Sequence, residues 1–506
     1  MSQPYLLGID QGTSGSKAVI IDREGTVCGF GYRPLKRLYP QPGWVEQEPY
    51  AVAVGVSEAI TEAIGQAGCL PKEIAACGIA SQRNTEFAWD KRDGRPFNNA
   101  ITWQDLRSTA ILHELENWPQ FHEARQRLGY PPGAYMSAVH LAWRMRYQPE
   151  VRAASESGDL QLGLSAAWLL KALGKPTAHQ MDTSLVQAMG LYDFQAQQYW
   201  QEWIDRIGVT NSALPAAMPT LHEYGALTVT APGGQKTEVP VCAMIGDQQS
   251  ALFGHNCRQP GDAECTHGTA SFVKVFLDDQ ALSQENINVY NAWHLGDKQT
   301  YCLEAPTTVT GAAIRWMRDN AGIFDTYEEM DELAASVSDV SGLAFVPAFT
   351  GLDVPYNNPA ARATIFGLTL GHHRGHIARA FFESIGYQLR TILETITKET
   401  GVDVKQLVVG GGVSASDLAC QVQADLLNMP VARPTFAETT GWAAGLLAGL
   451  GAGIWPSLDT LPPLPGSQDF FYPMGENTRH NAGYQRWQHA VSLVCDWSQY
   501  SPDPDE

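Results

Sequence analysis

Residues 5–21 read YLLGIDQGTSGSKAVII. An apolar run ends on a carboxylate, Asp10, a turn of small residues follows at once, and a second apolar run, Ala18 to Ile21, leads back. That order predicts a β-hairpin and not a strand-to-helix turn. Gly12 and Gly15 let backbone N–H groups approach an anion closely, Thr13 and Ser14 add hydroxyls, and Lys17 opens the returning strand. A chain can grip phosphate and a divalent metal this way without a Walker loop. Taken alone, the stretch reads equally well as an ordinary hairpin whose Asp and Gly serve the turn.

A second cycle later in the chain bears on that choice. AECTHGTASFVKVF at 263–276 repeats the plan in pattern: strand, turn of Gly, Thr and Ser, apolar returning strand. Before it, the run Val239 to Ile245 ends in Gly246, Asp247, Gln248 and Gln249; after it, LVVGGGV at 407–413 runs into a triple-glycine turn. Apolar spacing predicts a strand over Ile74 to Ala80 and helices at 49–67, 310–322, 327–337, 375–400 and 415–428, with 105–205 mainly helical. A duplicated α/β unit with two phosphate hairpins facing one cleft follows, divided at residues 1–254 and 255–506, with 456–506 a C-terminal extension. The Pro- and Asp-rich end, Ser501 to Glu506, reads as loose.

At 506 residues the chain exceeds what one core usually supports, and a cleft between two domains is the natural ligand site. Its 34 basic and 54 acidic residues give a formal charge of -20 with no basic block, which argues against nucleic acid or an anionic membrane as partner. Nine scattered cysteines without a metal-spaced pair read as reduced thiols of a cytoplasmic protein. No signal peptide is read at the start, because Asp10 interrupts the first apolar run. The weakly polar run Gly441 to Trp455 is too short to span a bilayer and reads as a closely packed core helix.

Asp247 ends an apolar strand, where open α/β sheets bind ligands, although a helix cap would explain it too. Two carboxylates at two strand ends supply what phosphoryl transfer needs: Asp10 to anchor a metal, Asp247 to accept the proton of an attacking hydroxyl. Gly268 and Thr269 offer an N–H and a hydroxyl for phosphate; Gly410 to Gly412 suit a flat adenine or ribose, or simply a tight strand-to-helix turn. Gly311 opens a helix near the nucleotide or serves close packing.

The blocks LYPQPGWVEQEP (38–49), SQRN (81–84), NAITWQDLR (99–107), IGDQQSALFG (245–254), HGTASF (267–272), VPAFTGLDVPYNNPAARATIFGLTLG (346–371) and HIARAFFESIGYQ (376–388), with the opening hairpin, resemble the FGGY carbohydrate kinases, glycerol kinases being the nearest branch. The resemblance runs in one order from residue 5 to about 455. It implies the two-domain, actin-like, ribonuclease-H-type fold and Mg²⁺-dependent transfer of the ATP γ-phosphate to a primary hydroxyl of a small polyol or ketose. By resemblance Asp247 is the base and Asp10 the metal carboxylate; Thr13, Ser14, Lys17, Thr269, Gly311, Gly411, Gly412 and Ser416 serve the nucleotide. Arg83, Asn84, Trp103, Tyr135, Gln248 and Phe272 form the acceptor pocket beside Asp247, and a homodimer or homotetramer is the family's habit.

The chain departs from glycerol kinases at several points. Asn84 stands where they carry Glu, His140 where a Lys is expected, and Ser416 where the adenosine turn has Asn. The stretch Gly233 to Lys236 lacks the Arg-bearing loop for a sugar bisphosphate, so no such feedback site is expected. An amide at 84 adds donors and suits a ketose carbonyl, yet Gln82-Arg83 replaces the Met-His pair of xylulose kinases. Glycerol-like polyol and pentulose both stay open. A non-catalytic actin-like ATP-binding protein is a weaker reading, since it leaves Asp247, Arg83 and the aromatic wall unexplained, and so is a sugar sensor, because both carboxylates are kept.

Overall fold

The structure is a computed structural model that describes residues 4–282, 285–307, 309–474 and 477–499; the expected loose end at 501–506 lies outside the described residues. Strand β1 (Tyr5–Gln11) and β2 (Gly15–Ile21) form the antiparallel hairpin, with Asp10 opposite Lys17. β3 (Val27–Pro34) extends it, α1 (Pro49–Ala67) crosses over, and β4 (Ile74–Ser81) lies parallel to β1. β5 (Leu221–Thr230) and β6 (Lys236–Gly246) complete a sheet ordered β3-β2-β1-β4-β6-β5, with Gly174–Pro176 at its edge. Helix α2 (Asp247–Gly254) leads out of it.

The second unit repeats this wiring. β7 (Ala263–His267), β8 (Ser271–Asp278), β9 (Asn288–Leu295) and β10 (Lys298–Thr307) precede α3 (Gly311–Asp319), α4 (Tyr327–Ala335) and α5 (Arg374–Thr400). β11 (Leu407–Gly411), α6 (Asp417–Leu427) and β12 (Val431–Pro434) follow, and the sheet runs β9-β10-β8-β7-β11-β12, closed by β13 (Gln468–Phe471). In each sheet a run of antiparallel strands, three in the first and four in the second, feeds two parallel ones. The 456–506 extension thus supplies an edge strand, and its helix α8 (Asn477–Ser498) packs Trp487 onto the second core, the indole donating to the Phe345 carbonyl at 2.9 Å.

Helix α7 (Thr439–Gly451) departs from the simple division at residue 255. It lies in the second half of the chain yet packs on the first sheet, with Trp442, Ala444 and Leu447 inside that core. Glycines permit the approach: a Cβ on Gly8 would lie 1.8 Å from the Gly441 carbonyl oxygen, and one on Gly78 1.9 Å from that of Ala444. Residues 105–205 are also less helical than expected. Leu160–Leu164 is a strand, because it pairs with Glu86–Asp90 in a small sheet with Glu46–Gln47 and Ala100–Ile101. Among the described residues no helix is long and apolar enough to cross a membrane, and all nine cysteines are free.

Candidate active site

Three parallel strands end side by side in the first sheet. Asp10 on β1 stands beside Ala80 on β4, and Ala80 beside Ile245 on β6, so Asp10 and Asp247 flank the end of β4. Asp247 begins α2 after the extended Gly246, and its Oδ1 accepts from the Gln248 backbone N–H at 2.7 Å. Burial, with the nearby charges of Asp247 and Glu438, pushes the Asp10 carboxyl up to about 7 against the pull of Lys17. Burial raises Asp247 too, opposed by Arg83. Two crowded carboxylates that resist ionising are a fit for a divalent cation, whose charge would let both ionise. Among the described residues no three His, Cys, Asp or Glu side chains could cage a metal.

The first hairpin's turn is tied down by amides. The Trp103 indole donates to Thr13 Oγ1 at 2.8 Å, the Thr13 hydroxyl donates to Gln82 Oε1 at 3.1 Å, and Gln47 Nε2 donates to the Thr13 carbonyl at 3.0 Å. Gln82 Nε2 in turn donates to Gln47 Oε1 at 2.9 Å and Gln11 Oε1 at 3.2 Å. Thr13 and Trp103 therefore come together, and Ser14 lies exposed at the tip. Lys17 is engaged at 2.7 Å by Glu438, which stands at the start of the helix that roofs the sheet. The sequence reading missed Gln11, Gln47 and Glu438; burial of their amides in a small-residue neighbourhood distinguishes the two glutamines, while Glu438 is set apart only by its distant partner Lys17.

Of the expected acceptor residues, Arg83 and Asn84 follow the end of β4 and Gln248 follows the end of β6, whereas Trp103, Tyr135 and Phe272 come from other parts of the fold. Arg83 Nη2 donates to both carboxylate oxygens of Glu304, at 2.8 and 2.7 Å, and the guanidinium lies 4.5 Å over the Tyr290 ring. Arg83 Nη1 and Gln248 Oε1 are buried and take no partner among the described residues. Asn84 holds a left-handed φ of 56°, and its Oδ1 accepts from the Ser137 N–H at 3.3 Å. Tyr135 is half-buried; burial and Glu304 push its phenol up to about 12, so it stays a neutral donor. Phe272 is half-buried on β8, paired with Pro306 on β10. His140, at the expected Lys position, is buried and held near 4 by desolvation, hence uncharged. Glu304 and Tyr290 were not found from sequence; a Glu inside the apolar strand YCLEAPT was the available signal.

The second hairpin's turn exposes Thr269, whose hydroxyl is 3.4 Å from Arg315 Nη2. The start of α3 is stitched to it: Gly311 N–H donates to the Gly268 carbonyl at 3.0 Å, and a Cβ there would lie 2.5 Å from that oxygen. Gly411 turns with φ 87°, and its Cβ would meet the His267 carbonyl at 2.4 Å. Gly412 is exposed with open space beside it. Ser416 caps α6, accepting from Ala419 N–H at 3.0 Å and donating to Asp331 at 2.8 Å, so its hydroxyl is already committed.

Residues 5–254 match the N-terminal domain of the FGGY family of carbohydrate kinases, and residues 263–452 its C-terminal domain. A glycerol kinase of Symbiobacterium thermophilum is 36% identical over 499 residues, 98% of this chain and 100% of that one. The crystal structure of Plasmodium falciparum glycerol kinase with ADP superposes with a TM-score of 0.90 at 26% identity, covering 97% of this chain and 98% of that one. A xylulose kinase from Rhodospirillum rubrum, at 21% identity and a TM-score of 0.86 over 98% of this chain and 100% of that one, shares the fold.

Proposed function

The chain belongs to the FGGY family of carbohydrate kinases, ATP-dependent phosphotransferases, and on that footing we propose that it phosphorylates a primary hydroxyl of a small, glycerol-like polyol at Asp247. One observation carries the acceptor reading. Beside Asp247 lie a buried donor, Arg83 Nη1, and a buried acceptor, Gln248 Oε1, both without partners. Such atoms cost ~1–3 kcal/mol each while unmet. A hydroxyl both donates and accepts, so vicinal hydroxyls satisfy the two together.

In the reaction, Asp247 holds the primary hydroxyl and takes its proton as the oxygen attacks the γ-phosphorus; the bond to the β-phosphate oxygen breaks and ADP leaves. Much of the gain is orientation, since the transition state is loose. The exposed hydroxyls of Thr269 and, at the opposite turn, Ser14 would donate to the phosphates, the Gly268 N–H being spent on the Ala270 carbonyl and the Thr13 hydroxyl on Gln82, while Gly411 and Gly412 give adenosine a side-chain-free wall. Asp10 would hold Mg²⁺, which neutralises the charge that develops on the transferred phosphoryl group. The nine free thiols suit a reducing cytoplasm.

Asn84 favours a second acceptor class. Its Oδ1 is taken by Ser137, which leaves the amide N–H groups to face a carbonyl, as in a pentulose. A coupled-ADP screen of glycerol, erythritol, xylulose and ribulose decides: turnover best with glycerol or erythritol supports the polyol, turnover confined to ketoses overturns it, and ATP hydrolysis indifferent to all four overturns the acceptor pocket.

A further inference from the structure

The second sheet carries a row of charges in its interior. Glu264 on β7, Lys274 on β8 and Glu304 on β10 stand directly opposite one another across adjacent strands, so their side chains share one face. Their exposures are 0%, 0% and 4%. Lys274 Nζ bonds Glu264 Oε1, while Glu264 Oε2 accepts from Thr266 Oγ1 at 3.0 Å and lies 3.5 Å from His255 Nδ1. At the other end of the row, Glu304 takes Arg83 of the first unit with both oxygens. The sequence of charges is minus, plus, minus, plus, and it ends on the guanidinium beside Asp247.

An ion pair of this kind is weak evidence for stability, since apolar residues of equal volume hold two surfaces together as well. What it adds is direction. Both N–H groups of Arg83 Nη2 are spent on Glu304, and the ring of Tyr290 covers one face of the plane, 4.5 Å away. The planar group therefore has one orientation left, and in it Nη1 is buried with no protein partner. Lys274, opposite on the neighbouring strand, places a positive charge near Glu304 while its ammonium bonds Glu264.

We propose that Glu304 is a positioning residue for the acceptor: reaching from the second unit, it aims Arg83 Nη1 at a substrate hydroxyl, so that the acceptor pocket is assembled from both halves of the chain. The proposal rests on the reading of Arg83 as an acceptor ligand. It places acceptor affinity under the control of interdomain approach, because separating the units would withdraw Glu304 from Arg83.

Steady-state kinetics of the full-length protein, with glycerol and xylulose as probes, test it. Glu304→Gln removes the charge and one acceptor; the acceptor KM is expected to rise roughly tenfold or more, with the KM for ATP within about twofold of the parent. Glu304→Asp keeps the charge and is expected to restore part of the loss, and it serves as the informative variant where Glu304→Gln does not fold. An acceptor KM within about twofold of the parent in both variants overturns the proposal, as does a parallel rise of both KM values with a fallen melting temperature, the mark of a merely structural tie. Arg83→Lys separates the two readings. If it raises the acceptor KM while Glu304→Gln and Glu304→Asp do not, only the positioning role fails; if it too leaves the acceptor KM unchanged, the pocket assignment fails with it.

Discussion

The two hairpins follow the same backbone path and differ in what stands at their mouths. In the first, Asp10 faces Lys17 across the last rungs, and the turn beyond is held by Trp103, Gln82 and Gln47. In the second, His267 faces Ser271, joined at 2.7 Å, and the charges Glu264 and Lys274 sit three residues deeper in the sheet. Burial holds His267 near 4, so that mouth is neutral. On the proposed reading, carboxylates at both mouths would repel a triphosphate held between them. Duplication has thus been divided: one hairpin ends on a carboxylate, the charge a metal would need on the proposed reading, and the other on a neutral turn with an exposed Thr269 hydroxyl.

Several experiments would break or sharpen that division. Asp247→Asn should lower kcat by about 10²–10⁴-fold with ATP affinity preserved, measured by coupled-ADP turnover and nucleotide titration; near-parental turnover ends the assignment of chemistry to the first unit. Gly311→Ala forces a methyl to 2.5 Å from the Gly268 carbonyl, whereas Gly12→Ala meets nothing nearer than 3.5 Å. The former should cost about 1–3 kcal/mol of stability and raise the KM for ATP severalfold, the latter little of either. Equal effects would mean that the two turns are not built differently.

The neutral second mouth also has a pH signature. His140, His179 and His267 all lie near 4 because they are buried, below the 6.5 of an exposed histidine. The unfolded chain therefore takes up protons that the folded chain refuses. Stability from these groups is fully present above about pH 6.5 and is lost as the pH falls toward 4. Urea unfolding of His267→Gln should show this slope reduced by at most ~1.4 kcal/mol per pH unit; an unchanged slope would show that His267 is charged in the fold. Smallest is Trp103→Phe, which removes one hydrogen bond to Thr13 and should weaken ATP binding by about 1 kcal/mol, read by titration. No loss there would leave the indole a role in acceptor packing alone.

Much of this was legible because it was local. The 49–67 helix carries its apolar residues at helical spacing and is α1 to the residue, and both hairpins announce themselves by a Gly, Thr and Ser turn between apolar runs. Asp10 and Asp247 stood out because a carboxylate ending an apolar strand is costly unless something meets it. What stayed hidden was pairing at a distance. Arg83 and Glu304 are 221 residues apart, and neither neighbourhood names the other. Leu160–Leu164 is a strand only because Glu86–Asp90 lies beside it. The glycines of α7 signalled close packing, but a helix apolar on all sides does not say which sheet it will cover.

The docking of α7 has a bearing on how the protein is born. The first sheet is complete once Gly246 has been added to the nascent chain, yet the helix seated over Gly8 and Gly78 begins at Thr439. At roughly 5–20 residues per second of translation, that face waits on the order of ten seconds or longer for its lid. During that interval a sheet surface shaped by missing side chains is open at the ribosome, complementary to a helix not yet made and exposed to any other apolar segment that arrives first.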